Sequence, residues 1–284
     1  MSALNRSGDP PDESDCCGFV RSRPCYRFAY WGSLGIAALM ILACAIGLVR
    51  PTMMYPTKEM LRSSLPTDLV NLLGMPVLLI SIWSARNGRL VGLLLWPGVL
   101  LYLLYHDIVF LFARTFGVLF LLHLVSAAIN FYAMASLVLS MDGIAVQQRL
   151  AGRVAEKVGS GVLVGLGVLF FAWAITVMVT ALVTRTPIDV SELAVRSTDA
   201  LLSPSWIIGG LLLWRREALG YVVGLGLLFQ ASMLFIGLIT LFVLQSLMFG
   251  KHIRIGDVLV IFAMGLFCFV PFAFFARGAA SQAI

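Results

Sequence analysis

The sequence predicts an all-α integral membrane protein with about eight transmembrane helices, and three observations lead to that prediction. Apolar residues make up 60% of the 284 residues, while charged residues make up 12%. Soluble domains carry about 25% charged residues. The apolar residues also fall in continuous blocks, and a helix needs about 20 such residues to cross a hydrocarbon core about 30 Å thick. A soluble fold, a disordered chain and a disulfide scaffold are therefore excluded.

The chain begins with a polar segment, residues 1–27, which is acidic at first and then basic. We expect it to be a disordered cytoplasmic tail. The apolar segment Phe28–Val49 is longer than the 7–15 residues of a signal-peptide core, so we interpret it as an uncut signal-anchor helix. Seven further spans follow from hydropathy: Leu69–Ala85, Leu90–Ala113, Phe116–Met141, Gly159–Val183, Ala200–Trp214, Ala218–Leu244 and Ile255–Ala276. The sixth span is short and contains Pro204, so it is either broken or begins in the preceding loop, and a count of seven follows if it does not cross.

The distribution of Lys and Arg predicts that both termini are cytoplasmic and that the protein spans the cell membrane several times. With the N-terminus inside, the inner segments contain twelve of the 20 basic residues and the outer segments contain eight. Basic residues lie singly or in pairs at the ends of apolar blocks, not in a stripe that could follow phosphates, so nucleic acid is not an expected partner. The expected partners are the lipid bilayer and either a second copy of the chain or another membrane protein.

A weak internal repeat predicts two four-helix units. Pro56, Thr67, Asp68 and Trp83 recur as Pro187, Thr198, Asp199 and Trp214 at a constant offset of 131 residues. We expect a first unit over residues 28–141, a cytoplasmic linker over 142–158 and a second unit over 159–284. Because four spans return the chain to its starting side, the two units are expected to be parallel in the membrane.

One motif resembles a family of prokaryotic polytopic membrane proteins for which no activity is known. The segment LWPGVLLYLLY, from Leu95 to Tyr105, is similar to the LLW-x-G-x-L-x-Y-x-x-Y core of that family, and Asp68-Leu69-Val70 resembles a second shared segment. The resemblance covers most of the first four spans and implies no catalytic residue and no cofactor. Its members have Asn and aromatic residues after the second Tyr, where this chain has His106-Asp107.

The candidate functional residues are the ionisable side chains within predicted spans, because such residues usually face a bundle interior or a cavity. Asp107 lies eight residues before Thr115 and His123 lies eight residues after it, so a hairpin brings both to one level about 12 Å from the turn. The helical spacing adds further polar candidates on the same two spans: Tyr102, Tyr105 and His106 on the third, and Ser126 and Asn130 on the fourth.

Three interpretations of this polar cluster remain open. The side chains can serve only as hydrogen-bonding contacts between helices. A His–Asp pair that titrates near neutral pH can instead form part of a proton or cation pathway. In the third interpretation, His106, Asp107 and His123 bind a metal ion, since imidazole and carboxylate groups are suitable ligands. Because His106 and Asp107 are adjacent on a helix, they point about 100° apart.

Three functions are consistent with the sequence. The predicted duplication and the buried ionisable groups favour a secondary transporter for a small solute or ion, coupled to protons or cations. The alternatives are a membrane-embedded metal or redox enzyme that uses His106, Asp107 and His123, and a non-catalytic sensor or assembly subunit. No HExxH, GxSxG or Walker sequence occurs, and no cofactor is predicted.

Overall fold

The computed structural model describes residues 18–51, 55, 58–113, 116–250 and 255–280, and these residues form an all-α structure. Nine α-helices lie within these ranges: α1 Arg23–Val49, α2 Lys58–Arg86, α3 Leu90–Ala113, α4 Val118–Ser140, α5 Gly143–Leu150, α6 Glu156–Thr184, α7 Val190–Trp214, α8 Ala218–Phe249 and α9 Ile255–Ala280. Seven of them are long and apolar enough to cross a membrane. The predicted class, an all-α membrane protein, is confirmed.

The sixth predicted span, Ala200–Trp214, is the last part of α7, and α7 differs from the other long helices in composition. Helix α7 has 25 residues, but its first half carries Glu192, Arg196 and Asp199, and it is not among the seven apolar helices. It nevertheless packs antiparallel along α6, where side chains added at Gly167 and Gly210 would collide with the neighbouring helix. The predicted boundary at Ala200 is therefore wrong, because the helix continues through charged residues that are paired inside the bundle.

Two further features differ from the prediction, the start of the first span and the segment after the fourth span. Helix α1 begins at Arg23 rather than Phe28, since Pro24 fits the first turn of a helix. The predicted linker contains the short helix α5, whose N-terminus is capped by the Asp142 carboxylate. Residues 1–17 of the predicted tail lie outside the described residues.

The long helices form two rings of four. In the first ring, α1, α2, α3 and α4 each contact the next, and α4 contacts α1; α6, α7, α8 and α9 form the second ring in the same way. The rings meet where α3 packs against α7 and α8. Gly98 and Gly226 form the closest approach, because a Cβ atom on Gly98 would overlap the backbone of Gly226.

Several contacts place the predicted inner segments on one side of the bundle, which we call the basic side. Residues 19–22 bond to the C-terminal end of α4, with the Arg21 amide 2.7 Å from the Ser140 carbonyl oxygen. The Gln147 side chain donates to the Arg216 carbonyl oxygen at 2.6 Å, and Gly278 packs against the backbone of Arg153. The long helices therefore alternate in direction, with the α2–α3 and α7–α8 turns both on the basic side.

These two turns have the same hydrogen bonds at an offset of 128 residues. The amides of residues 87, 88 and 89 donate to the carbonyl oxygens of 83, 85 and 84, and those of 215, 216 and 217 donate to 211, 213 and 212. Gly88 and Arg216 have corresponding positive φ values of 74° and 58°. In this register Trp83 corresponds to Leu211, three residues before Trp214, so the turns do not align at the offset of 131 found in the sequence.

Candidate functional site

Asp107 lies on α3 in the interior of the first ring and is fully buried. Its Oδ1 atom is 2.9 Å from Nδ1 of His123 on α4. The Ser126 hydroxyl, also on α4, donates to Oδ2 at 2.9 Å. The two carboxylate oxygens are therefore bonded by two side chains from the neighbouring helix.

The local sequence explains how the hairpin brings these residues together. Asp107 and His123 lie at similar distances from the turn between α3 and α4, so antiparallel packing places them at one depth. His123 and Ser126 are three residues apart and thus share a face of α4. Phe110, one turn after Asp107, stacks on the His123 ring with the ring centroids 4.4 Å apart and an angle of 9°. This stacking fixes the imidazole with Nδ1 directed at the carboxylate.

Asn130 extends this polar face of α4 by one further turn. Its side chain is fully buried, and neither its Oδ1 nor its Nδ2 atom makes a hydrogen bond. Its amide is nevertheless near enough to Asp107 to interact with the carboxylate. Asp107, His123, Ser126 and Asn130 thus form one group between α3 and α4, which we call the Asp107 cluster.

His106 and Tyr102 are directed away from the Asp107 cluster. Nδ1 of His106 is 2.9 Å from the Tyr102 carbonyl oxygen, one turn earlier on α3. Their rings are in contact with a centroid separation of 4.5 Å. The Tyr102 hydroxyl makes no hydrogen bond and lies beside Gly237 of α8. Of the three predicted metal ligands, the structure brings only Asp107 and His123 together.

Tyr105 contacts a carboxylate that sequence reasoning placed in a loop. Its hydroxyl donates to Oδ1 of Asp199 on α7 at 3.0 Å. The Arg196 guanidinium lies 3.5 Å from the other oxygen of Asp199 and stacks over the Trp173 ring at 5.3 Å. The spacing of three residues between Arg196 and Asp199 is a helical spacing, and it was the available signal that α7 begins before Ala200.

A third buried carboxylate lies on the basic side and was not singled out from the sequence. Glu156 accepts hydrogen bonds from the Tyr221 hydroxyl at 2.6 Å and the Gly152 amide at 2.9 Å. Its other oxygen is 2.8 Å from Nε of Arg216. These contacts join the start of α6 to the α7–α8 turn, and the four residues read separately in the sequence carry no recognisable pattern.

The described residues contain no group of three or more His, Cys, Asp or Glu side chains arranged to hold a metal ion. Neither a protein-family model nor a curated protein nor a solved structure matches the chain. The chemistry of the Asp107 cluster must therefore be inferred from its own geometry. Its distinctive property is a buried carboxylate whose ion-pair partner is a titratable imidazole.

Proposed function

We propose that the protein is a secondary transporter that couples the movement of a small solute to protons. The observation that carries this proposal is the buried pair of Asp107 and His123, at 2.9 Å, inside a ring of membrane-spanning helices. Ionisable residues at this depth are costly and typically belong to ion or proton pathways. The imidazole of this pair can hold or release a proton, which is the step that the proposed coupling requires.

The architecture supports a carrier rather than a rigid scaffold. Two rings of helices meet along α3 and α8 at glycine-rich surfaces, and such small residues allow helices to approach closely. We infer that the rings are the two halves of a duplicated chain, with the basic side facing the cytoplasm. Asp107 lies on α3, which also packs against the second ring. Movement of one half against the other then shifts α3 and exposes the Asp107 cluster first to one side of the membrane and then to the other.

The proposal is tested by flux in liposomes that contain a trapped pH-sensitive dye. The purified protein is reconstituted, and amines, amino acids, sugars, carboxylates and monovalent cations are added outside in separate experiments. We expect one class to change the internal pH in a gradient-dependent way. Asp107→Asn removes the ionisable group and is expected to lower this flux to that of protein-free liposomes.

Asp189→Asn is the matched control, because Asp189 is exposed and only accepts a hydrogen bond from the Ser191 amide. This variant is expected to transport as the wild type does. A wild-type protein that moves no protons with any solute class contradicts the transporter proposal. Unchanged flux in Asp107→Asn contradicts the role of the Asp107–His123 pair.

A further inference from the structure

Asp107 differs from Asp199 and Glu156 in the charge of its partner, while the buried Asp68 accepts a hydrogen bond from the Tyr55 hydroxyl at 2.5 Å. Asp199 is paired with Arg196, and Glu156 is paired with Arg216. Within the described ranges, the ion-pair partner of Asp107 is His123 alone. The imidazole supplies a full positive charge only when it is protonated, so the site lacks a fixed cation.

Two titratable groups on the neighbouring helices of the first ring interact with Asp107, Cys44 of α1 and His123 of α4. Cys44 is close enough to interact electrostatically with both Asp68 and Asp107. The interior of the first ring therefore favours a positive charge and disfavours an anion.

Asn130 gives an independent indication of a ligand. Its amide is fully buried and adjoins the Asp107 carboxylate, and among the described residues its Oδ1 atom has no hydrogen-bond partner. Buried polar side chains in proteins are nearly always bonded, and each exception requires an explanation. Leu has nearly the same shape and would fill the position without any unsatisfied group. The amide oxygen of Asn130 is instead an acceptor available to a ligand.

Asn71 of α2 is a second fully buried amide without a partner, and it belongs to the same ring. It lies about 22 Å along α2 from Arg86, and Asp107 lies about 26 Å along α3 from Leu90, at 1.5 Å per residue. Both distances are measured from the same turn on the basic side. Asn71 and Asp107 therefore lie at similar depths in one helix ring, and Asn130 lies about 15 Å along α4 from Ser140 at the basic side.

We propose that the Asp107 cluster binds a small primary ammonium cation, which donates N–H hydrogen bonds to the Asp107 carboxylate and to Oδ1 of Asn130. This inference rests on the proposed transport function and names its solute. The ammonium group supplies the positive charge that the carboxylate lacks, and its donors match acceptors that are already in place. A proton on His123 supplies the same charge, so the cation and the proton exclude each other and are exchanged across the membrane.

A quaternary ammonium ion does not fit this site as well, because it has no N–H donor. Such ions are bound by the faces of several aromatic rings. The nearest ring of the Asp107 cluster, Phe110, is already stacked on His123. A primary amine and its tetramethyl analogue therefore provide a direct test of the inferred hydrogen bonds.

The test is equilibrium binding of radiolabelled methylammonium to the purified full-length protein in detergent. We expect saturable binding that weakens at lower pH, resists competition by tetramethylammonium, disappears in Asp107→Asn and weakens in Asn130→Leu. Ser232→Ala is the control, because the Ser232 hydroxyl bonds to its own helix at the Leu228 carbonyl oxygen. Thermal unfolding of each variant checks that a loss of binding is not a loss of fold.

The outcomes separate this inference from the transport proposal. Full binding in Asn130→Leu, or equal competition by tetramethylammonium, overturns the assigned hydrogen bonds. If the folded wild-type protein does not bind methylammonium, the inference is overturned. If proton-coupled flux of another solute class persists in that case, the transporter proposal stands; if flux is also absent, both fail.

Discussion

Asp107 and Asp199 are both buried carboxylates on neighbouring helices, but their surroundings differ in one respect. Asp199 has the guanidinium of Arg196 at 3.5 Å and the Tyr105 hydroxyl at 3.0 Å. Asp107 has an imidazole and a serine hydroxyl, each at 2.9 Å. Since arginine is always protonated in proteins, the ionised Asp199 carboxylate has a fixed counter-charge. The charge of the Asp107 pair depends on a proton.

This difference assigns separate roles to the two carboxylates. The Asp199 carboxylate, with the fixed charge of Arg196 beside it, can hold α7 against α3 through its hydrogen bond from the Tyr105 hydroxyl. A carboxylate–imidazole pair has two charge states, with and without the imidazole proton, and a proton-coupled step requires two such states. We therefore expect changes at Asp199 to affect stability and changes at Asp107 to affect transport.

The register of 128 residues extends the comparison to the two halves of the chain. It aligns Pro76 with Pro204 and Asn71 with Asp199. Where the second ring has a carboxylate with a fixed cation, the first ring has an unpaired amide. The first ring has its buried carboxylates at other positions, Asp68 on α2 and Asp107 on α3. If the halves arose by duplication, they have diverged most in where they hold charge.

The largest effect on stability is expected from Arg196→Leu. Removing one partner of a buried pair leaves an uncompensated charge, and we expect a loss of about 3 kcal/mol in the free energy of unfolding, at the lower end of the usual range because Arg196 is partly exposed. Unfolding in mixed detergent micelles measures this loss. The double variant Arg196→Leu/Asp199→Asn removes both charges and is expected to recover most of it. No recovery would contradict the assignment of Asp199 as a structural pair.

The contrast between these pairs also explains what the sequence can predict. The spacing about the α3–α4 turn was sufficient to place Asp107 and His123 at one depth, because depth in a hairpin follows from residue number alone. The separation of His106 from Asp107 followed from helical geometry in the same way. The charge pattern of α7 was misleading, since hydropathy alone treats paired and unpaired charges alike.

Packing between distant parts of the chain was beyond the sequence. The contact of Gly98 with Gly226 and the Tyr105–Asp199 bond depend on how the two rings meet. The Glu156 contacts depend on a backbone turn, a hydroxyl and a guanidinium from three separate segments. Such contacts follow from side-chain packing in three dimensions and leave no periodic signal.

The second prediction compares two tyrosines on α3. Tyr105→Phe removes the hydrogen bond to Asp199, and a bond to a charged group is worth about 2 kcal/mol. Tyr102→Phe is the matched control, because the Tyr102 hydroxyl has no hydrogen-bond partner. We expect the first variant to lower the midpoint of thermal unfolding and the second to leave it unchanged or raise it. Equal losses in both would indicate that ring packing, not the hydroxyl, stabilises these positions.

A smaller effect is expected from Ser126→Ala, since Asp107 keeps its bond to His123. We expect a loss of about 1 kcal/mol in stability. Ser232→Ala removes a buried hydroxyl of the same kind that bonds only to its own helix. Proton-coupled flux is the second readout. It is expected to fall in Ser126→Ala and not in Ser232→Ala, because only Ser126 contacts the carboxylate.

The smallest effect on stability is expected from Asp107→Asn, the variant with the largest expected effect on transport. The partner that remains is an imidazole, which becomes neutral by losing its proton and then needs no counter-charge. An amide in place of the carboxylate also removes the cost of a buried charge, so we expect a change within about 1 kcal/mol in unfolding measurements. Arg196→Leu is expected to show the reverse pattern, with a large loss of stability and retained flux in the protein that remains folded. A large loss of stability in Asp107→Asn would instead assign the Asp107–His123 pair the same structural role as the Arg196–Asp199 pair.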